Sequence, residues 1–148
     1  MIQFKPLVIS DIESVVIMMQ EFYAVDNYPI NVDVSKTLLT DFISNENLGK
    51  AWLIIFNDEI VGYVIITFIF SFEYQGKIAF LDELYVREKF RGNGIGSQTL
   101  AFIIEESKQL SLKLIYLEIE NHNQNAQKLY IASGFELHNR KLMAYKIN

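Results

Sequence analysis

The sequence has 148 residues, a length typical of one domain, and 51% of them are hydrophobic against 21% charged. This composition is that of a protein with a packed core and excludes a disordered chain. The formal net charge of −5 argues against nucleic acid as the main ligand. No apolar run reaches the length of a transmembrane helix, and the first residues lack a secretory signal pattern. We therefore expect one domain over residues 1–148, located in the cytoplasm, with neither a membrane nor a nucleic-acid partner.

The content of sulfur and imidazole side chains restricts the chemistry further. There is no cysteine, which excludes disulfides, thiolate nucleophiles and thiolate metal sites. The two histidines, His122 and His138, are too few for a histidine-rich metal site. We expect no metal.

Hydrophobic periodicity predicts a mixed α/β architecture with helices on both faces of a sheet of six to seven strands. The predicted elements in chain order are a strand at 2–9, helices near 12–23 and 34–43, strands at 52–56, 60–70 and 78–86, a helix up to about 110, a strand at 112–120, a helix at 123–133 and one or two strands within 135–147. Most neighbours are expected to be antiparallel. The strands at 78–86 and 112–120 are expected to be parallel, because a helix connects them by a right-handed crossover.

A glycine-rich segment lies between a predicted strand and a predicted helix, and it is the strongest chemical signal. It reads Arg91, Gly92, Asn93, Gly94, Ile95, Gly96, Ser97. Glycines allow the backbone to approach a ligand closely, and the free N–H groups of a helix N-terminus attract anions. Arg91 would add donors to the same anion. The spacing differs from that of a nucleotide-triphosphate loop and of a dinucleotide-binding loop, so we expect a phosphate group of another kind of ligand.

The chain resembles the GNAT superfamily of acetyl-CoA-dependent N-acetyltransferases. The family signature Arg/Gln-x-x-Gly-x-Gly/Ala is matched by Arg91, Gly94 and Gly96. A later N-x-x-A-x-x-L-Y-x-x-x-G-F pattern is matched from Asn123 through Tyr130 to Phe135. The resemblance implies a GNAT-like fold in which the fourth and fifth strands splay apart, and acetyl-CoA as co-substrate. It also implies that the backbone of Leu84, Tyr85 and Val86 pairs with the pantetheine arm, that residues 91–97 wrap the pyrophosphate, and that Asn123 helps to hold the cofactor.

The resemblance further implies direct attack of an amine on the acetyl thioester, which needs a base, a donor to the carbonyl oxygen and an acid for the departing sulfur. Tyr130 lies at the family's tyrosine position and is the candidate acid. Asp82 and Glu83 are candidate bases; they match the acidic pair of the diamine (spermidine-type) acetyltransferases with the order of the side chains reversed. Strand alternation would point them to opposite faces, and we favour Glu83. The backbone amide of Leu84 or Tyr85 is the candidate donor.

Acceptor contacts are expected between the first two helices and in the hairpin before the fourth strand. The candidates are Tyr23, Asp26, Tyr28 and Glu73, whose carboxylates and aromatic rings suit a cation. The expected activity is acetylation of a small primary amine, polyamine-like in character. Two other hypotheses stay open: acetylation of a protein or peptide, and sensing of acyl-CoA without turnover. Because members of the superfamily often dimerise, a homodimer is a further expectation.

Overall fold

The computed structural model describes residues 1–148. The chain forms two compact units, Met1–Glu118 and Ile119–Asn148. The first contains a five-stranded sheet in the order β1-β2-β3-β4-β5. Its strands are β1 (Ile2–Pro6), β2 (Gly49–Phe56), β3 (Glu59–Ser71), β4 (Gly76–Val86) and β5 (Ile115–Tyr116), and its helices are α1 (Ile12–Val25), α2 (Val32–Ser44) and α3 (Ile95–Gln109). The second contains α4 (Gln124–Ala132).

All neighbouring strands are antiparallel except β4 and β5, which are parallel as predicted. The helix α3 follows β4 and precedes β5 along the chain, so β4, α3 and β5 form a strand-helix-strand unit. The pairing of β5 is short, because only Ala79 with Ile115 and Phe80 with Tyr116 are partners.

The prediction of six to seven strands is wrong, because the structure has five. No strand forms within 135–147, and the predicted strand at 112–120 is reduced to Ile115–Tyr116. The apolar side chains of the last segment are exposed, and they are Leu137, Leu142, Met143, Tyr145 and Ile147. The alternation of the sequence therefore has no buried face to stabilise it as a strand.

Apolar residues of the sheet divide between its two faces. On one face, Leu53, Tyr63, Ile65 and Tyr85 pack with the buried stripe of α1, which comprises Ile12, Val15, Val16, Met18 and Met19, and with Leu39 of α2. On the other face, Ile54 and Val61 pack with Ile95 of α3, and the ring of Phe102 stacks on Phe4 with ring centroids 4.2 Å apart. None of the helices combines the length and apolar character that crossing a membrane demands.

Candidate active site

Glu83 of β4 is held by two tyrosine hydroxyls from two different elements. Tyr23 of α1 donates to Oε2 at 2.5 Å, and Tyr63 of β3 donates to Oε1 at 2.6 Å. Burial raises the pKa of Glu83, the two tyrosine hydrogen bonds lower it, and the negative charge of Asp82 raises it; the net direction is upward. Burial and the bond to Glu83 raise the pKa of both tyrosines, so they remain protonated donors at neutral pH.

A β-bulge in β4 decides which carboxylate faces α1. Leu81 pairs with Ile66, but Glu83 pairs with Ile65, so Asp82 is an extra residue with no partner in β3. Partners in a ladder share a face, and Ile65 belongs to the face covered by α1 and α2. Glu83 therefore faces α1. The Asp82 side chain is exposed, although enough protein surrounds it to raise the pKa of its carboxyl.

One edge of β4 loses its strand partner beside Glu83. Pairing with β5 ends at Phe80 and Tyr116, whereas pairing with β3 continues to Val86. The β5-facing edge of residues 81–86 therefore has no strand beside it. Because Arg87 and Val61 form a hydrogen-bonded pair, the backbone groups of Leu84 and Val86 point to this edge, whereas those of Tyr85 point to Tyr63 of β3. Backbone groups at such an edge are suited to pair with an extended ligand. The carbonyl oxygen of Val86 also accepts a hydrogen bond from Arg91 Nε at 2.9 Å.

The glycine-rich loop leads from β4 into α3 and contains two left-handed backbone positions. Gly92 has φ +83° and Gly94, the N-cap of α3, has φ +74°. A Cβ on Gly92 would meet no atom within 4 Å, so the space beside it is open. No side chain caps the first turn of α3, which leaves the N–H groups at Ile95, Gly96 and Ser97 for a ligand. Asn93 Nδ2 donates to the carbonyl oxygen of Phe90 at 2.8 Å and so helps to close the loop.

A cavity of about 450 Å³ lies between the end of α1 and the end of β4. Its lining includes Glu21, Tyr85, Arg87, Lys89 and Arg91. Arg87 donates to both oxygens of Glu21 at 3.2 Å, and Tyr85 donates to Oε1 of Glu21 at 3.1 Å. The Arg91 guanidinium lies 5.7 Å from the centre of the Tyr85 ring. Arg87 is thus neutralised by Glu21, whereas Arg91 keeps its terminal N–H groups beside the open loop.

The predicted acceptor residues fall in two places. Tyr23 bonds Glu83, Asp26 is the C-cap of α1 one turn later, and the N–H of Tyr28 donates to the carbonyl oxygen of Tyr23 at 2.9 Å. Glu73 lies in the turn between β3 and β4. Gly76, which begins β4, is seven residues before Glu83, and that length of extended strand spans about 20 Å. The structure therefore places Tyr23 against Glu83, Asp26 and Tyr28 in the segment that follows Tyr23, and Glu73 at the far end of the hairpin.

Two further predicted site residues belong to the second unit. Asn123 is the N-cap of α4, and its Oδ1 accepts a hydrogen bond from the N–H of Ala126 at 3.1 Å. Tyr130 lies in α4, and its ring makes an edge contact with Phe135 at a centroid distance of 5.8 Å. Burial raises the pKa of Tyr130, which keeps its hydroxyl protonated at neutral pH. A role for either residue in binding or catalysis stays a prediction.

Three polar residues of this region were missed by the sequence reasoning: Tyr63, Glu21 and Arg87. Tyr63 lies inside an apolar strand sequence and resembles a core residue, which it also is at 1% exposure. Its contact with Glu83 depends on the hairpin register after the bulge. Glu21 and Arg87 are 66 residues apart in sequence, and only their opposite charges could have indicated a pair.

Comparisons with known proteins agree with this architecture. The family model described as "Acetyltransferase (GNAT) family" matches residues 16–135. An aminoalkylphosphonate N-acetyltransferase of Salmonella typhimurium is 31% identical over 80 residues, which are 54% of this chain and 52% of that protein. A thialysine N-epsilon-acetyltransferase of Bos taurus is 31% identical over 75 residues, 51% of this chain and 44% of that protein. The alignments thus span about half the length of these relatives.

Among solved structures, an integron cassette protein from the mobile metagenome of Cole Harbour Salt Marsh superposes with a TM-score of 0.89 and 28% identity. The match covers 99% of this chain and 91% of that one. The family model covers well over half of the sequence, including the strand β4, the glycine-rich loop and α4. The chain therefore belongs to the GNAT acetyltransferase family.

Proposed function

We propose that this protein, acting as one domain over residues 1–148, is an N-acetyltransferase that transfers an acetyl group from acetyl-CoA directly to a primary amine. The observation that carries the proposal is Glu83, a half-buried carboxylate held by two hydroxyls beside the unpaired edge of β4. Family membership supports the reaction class. The absence of cysteine agrees with a direct transfer that needs no thiolate on the enzyme.

The residues around the glycine-rich loop fit the anionic and extended parts of acetyl-CoA. The uncapped N–H groups at residues 95–97 and the guanidinium of Arg91 suit the pyrophosphate. The free edge of β4 at Leu84 and Val86 suits the amide groups of the pantetheine arm, whereas the backbone groups of Tyr85 point to β3. Asn123 is proposed as an additional contact on the strength of the family pattern. Bound acetyl-CoA supplies an activated acetyl group as a thioester.

The chain's own groups would handle the protons of the reaction. An amine arrives protonated near pH 7, and Glu83, whose pKa burial raises, is a suitable acceptor for that proton. The N–H of Leu84, rather than that of Tyr85, which points to β3, is proposed to donate to the carbonyl oxygen as it gains negative charge. Tyr130 is proposed to protonate the departing sulfur. Asp82 has a raised pKa too, but the bulge leaves it exposed, so we assign it an electrostatic influence on Glu83 rather than the role of base.

We propose that the acceptor is a small molecule. The relatives named for aminoalkylphosphonate and for thialysine act on small amines, which supports this choice over a protein or peptide acceptor. Tyr23 contacts Glu83, Asp26 and Tyr28 follow it in sequence, and we propose that these three residues offer a cationic amine a carboxylate and aromatic rings. A spermidine-like amine would suit the same three residues.

Acyl-CoA sensing without turnover is disfavoured, because a protein that only binds acyl-CoA has no use for a carboxylate that accepts hydrogen bonds from two tyrosine hydroxyls. A homodimer remains part of the proposal.

The proposal is tested by titrating acetyl-CoA into the purified protein by calorimetry and then measuring thiol release with a panel of amines. The panel contains 2-aminoethylphosphonate, thialysine, lysine, spermidine and a short peptide with a free N-terminus. We expect binding, and thiol release with at least one small amine. Absence of binding would refute the proposal. Binding with release only from the peptide would favour protein acetylation, and binding without any release would favour the sensor.

A further inference from the structure

The two tyrosines on Glu83 differ in their access to a substrate. Tyr63 projects from the centre of the sheet and is 1% exposed, so no ligand reaches its hydroxyl without disrupting the core. Tyr23 is partly exposed and lies in the last turn of α1. The loop after α1 folds back on this turn through the bond from the N–H of Tyr28 to the carbonyl oxygen of Tyr23. Of the two tyrosines on Glu83, Tyr23 is therefore the one that is accessible to a substrate.

Both oxygens of Glu83 already accept a phenolic hydrogen bond, one at 2.5 Å and the other at 2.6 Å. An ammonium group that approached Glu83 directly would have to share an oxygen that already accepts one of these bonds. The oxygen of Tyr23, in contrast, has lone pairs free to accept while its own proton points at Glu83. Tyr23, a partly exposed residue, is thus hydrogen-bonded directly to a half-buried carboxylate.

We propose that Tyr23 is a catalytic residue that relays the proton of the acceptor amine to Glu83; this inference rests on the proposed acetyltransferase function. In the step, an N–H bond of the ammonium breaks and an O–H bond forms on Tyr23. At the same time the original O–H bond of Tyr23 breaks and an O–H bond forms on Oε2 of Glu83. The amine nitrogen keeps the electron pair that attacks the thioester, and charge is conserved. The proton returns to water through the same hydroxyl after the product leaves.

Tyr63 is then a positioning residue that acts only through Glu83. Its bond fixes the carboxylate so that Oε2 faces Tyr23, and it stabilises the ionised form. The other group that acts on Glu83 is Asp82, whose charge favours the protonated form. Tyr23 and Tyr63 thus donate equivalent hydrogen bonds to one carboxylate, but only Tyr23 would carry the proton.

This difference gives a matched pair of variants, Tyr23→Phe and Tyr63→Phe. Each removes one donor to Glu83, so in both the acid limb of the pH–rate profile should move to higher pH. On the alkaline side of that limb, Tyr63→Phe should regain a rate within about threefold of the parent. Tyr23→Phe should stay about 100-fold or more below the parent at every pH, because the relay is lost. The double variant Tyr23→Phe/Glu83→Gln should be no slower than the slower single variant, since the two groups act as a unit.

The experiment measures kcat, KM and thiol release against pH with the amine from the panel that the parent protein acetylates, and acetyl-CoA titration of each variant checks that it is folded. If Tyr23→Phe behaves like Tyr63→Phe and regains its rate at high pH, the relay is wrong, although the acetyltransferase function stands. An increase in KM for the amine without a change in kcat would likewise overturn the relay and leave Tyr23 as a binding residue. If the parent protein releases no thiol with any amine, the proposed function and the relay fall together.

Discussion

Glu83, and not Asp82, lies opposite Ile65, although an unbroken ladder counted from the hairpin turn would pair Ile65 with Asp82. The bulge inserts one residue into β4 and so moves the carboxylate that faces α1 by one position. The hydroxyls of Tyr23 and Tyr63 both donate hydrogen bonds to Glu83, the carboxylate that the bulge places on this face. One extra residue in a strand thus selects between two adjacent acidic side chains.

The first prediction compares Glu83→Gln with Asp82→Asn. Glu83→Gln should lower kcat by about 10²- to 10⁴-fold, the usual contribution of a positioned base. Asp82→Asn should retain most of kcat and should shift the acid limb of the pH–rate profile to lower pH. The sign follows because the Asp82 charge raises the pKa of Glu83, and removing that charge lowers it. The measurement is kcat/KM from pH 5 to pH 9.

The same pair of variants also has an outcome that would contradict the assignment. A larger loss in Asp82→Asn than in Glu83→Gln would mean that the exposed carboxylate is the base. Because both substitutions are nearly isosteric, a change in folding is not expected to obscure the comparison.

A second prediction concerns Arg91 and the cofactor. Arg91→Ala should weaken acetyl-CoA binding by about 10- to 100-fold, because a charge-assisted hydrogen bond contributes about 1.5–3 kcal/mol. The backbone N–H groups of residues 95–97 remain, so binding should not be abolished. Arg91→Lys should recover part of the affinity through its charge, but it cannot reproduce the bond from Nε to the Val86 oxygen. Calorimetric titration of acetyl-CoA into the parent protein, Arg91→Ala and Arg91→Lys at two salt concentrations measures these changes in affinity. Equal affinity of the three proteins for acetyl-CoA would exclude Arg91 from the binding site.

A third prediction addresses Tyr130. Tyr130→Phe should lower kcat by about 100-fold, since a general acid contributes about that much or more, while the affinity for acetyl-CoA should change little. Tyr145→Phe is the matched control, because Tyr145 is 88% exposed and has no assigned role. Steady-state rates and acetyl-CoA titration of both variants give the answer. An unchanged kcat in Tyr130→Phe would remove Tyr130 as the acid.

Elements of the fold could be predicted from the sequence where they depend on a pattern of neighbouring residues. The amphipathic spacing of α1 and the glycines before α3 predicted both elements, because their burial and backbone conformations depend on nearby residues. Parallel pairing of β4 and β5 followed from the helix between them. The prediction of strands within 135–147 was wrong, since alternation in sequence does not supply a partner strand or a buried face.

The grouping of side chains around Glu83 was only partly accessible from the sequence. Glu83 and Tyr23 were both candidates, but they are 60 residues apart, and no local pattern predicts their hydrogen bond. Tyr63 was not a candidate, because a tyrosine within an apolar strand is indistinguishable from a core residue until the register of the hairpin is known. The bulge at Asp82 sets that register, and single-sequence alternation contains no signal for it.

The last prediction tests the close approach of β3 and β4 next to this cluster. A Cβ on Gly62 would lie 2.1 Å from the backbone oxygen of Tyr85, so Gly62→Ala must separate the two strands where Val86 is its partner. Overpacking of this kind costs about 1–3 kcal/mol of the free energy of unfolding. Gly92→Ala is the control, because a Cβ there meets no atom and only the left-handed backbone is penalised, by about 1–2 kcal/mol.

Gly62→Ala and Gly92→Ala also distinguish changes at the β4 edge from changes in the glycine-rich loop. Gly62→Ala should lower the urea midpoint and also reduce kcat in the protein that remains folded, since Val86, the partner of Gly62, lies along the edge proposed to hold the pantetheine arm. Gly92→Ala should also lower the urea midpoint, but it should weaken acetyl-CoA binding and leave kcat at saturating acetyl-CoA unchanged, because it changes the loop and leaves β4 in place. Urea unfolding combined with acetyl-CoA titration distinguishes these results. A Gly62→Ala protein with the parent's stability and rate would mean that β3 and β4 are farther apart beside Tyr85 than the structure places them.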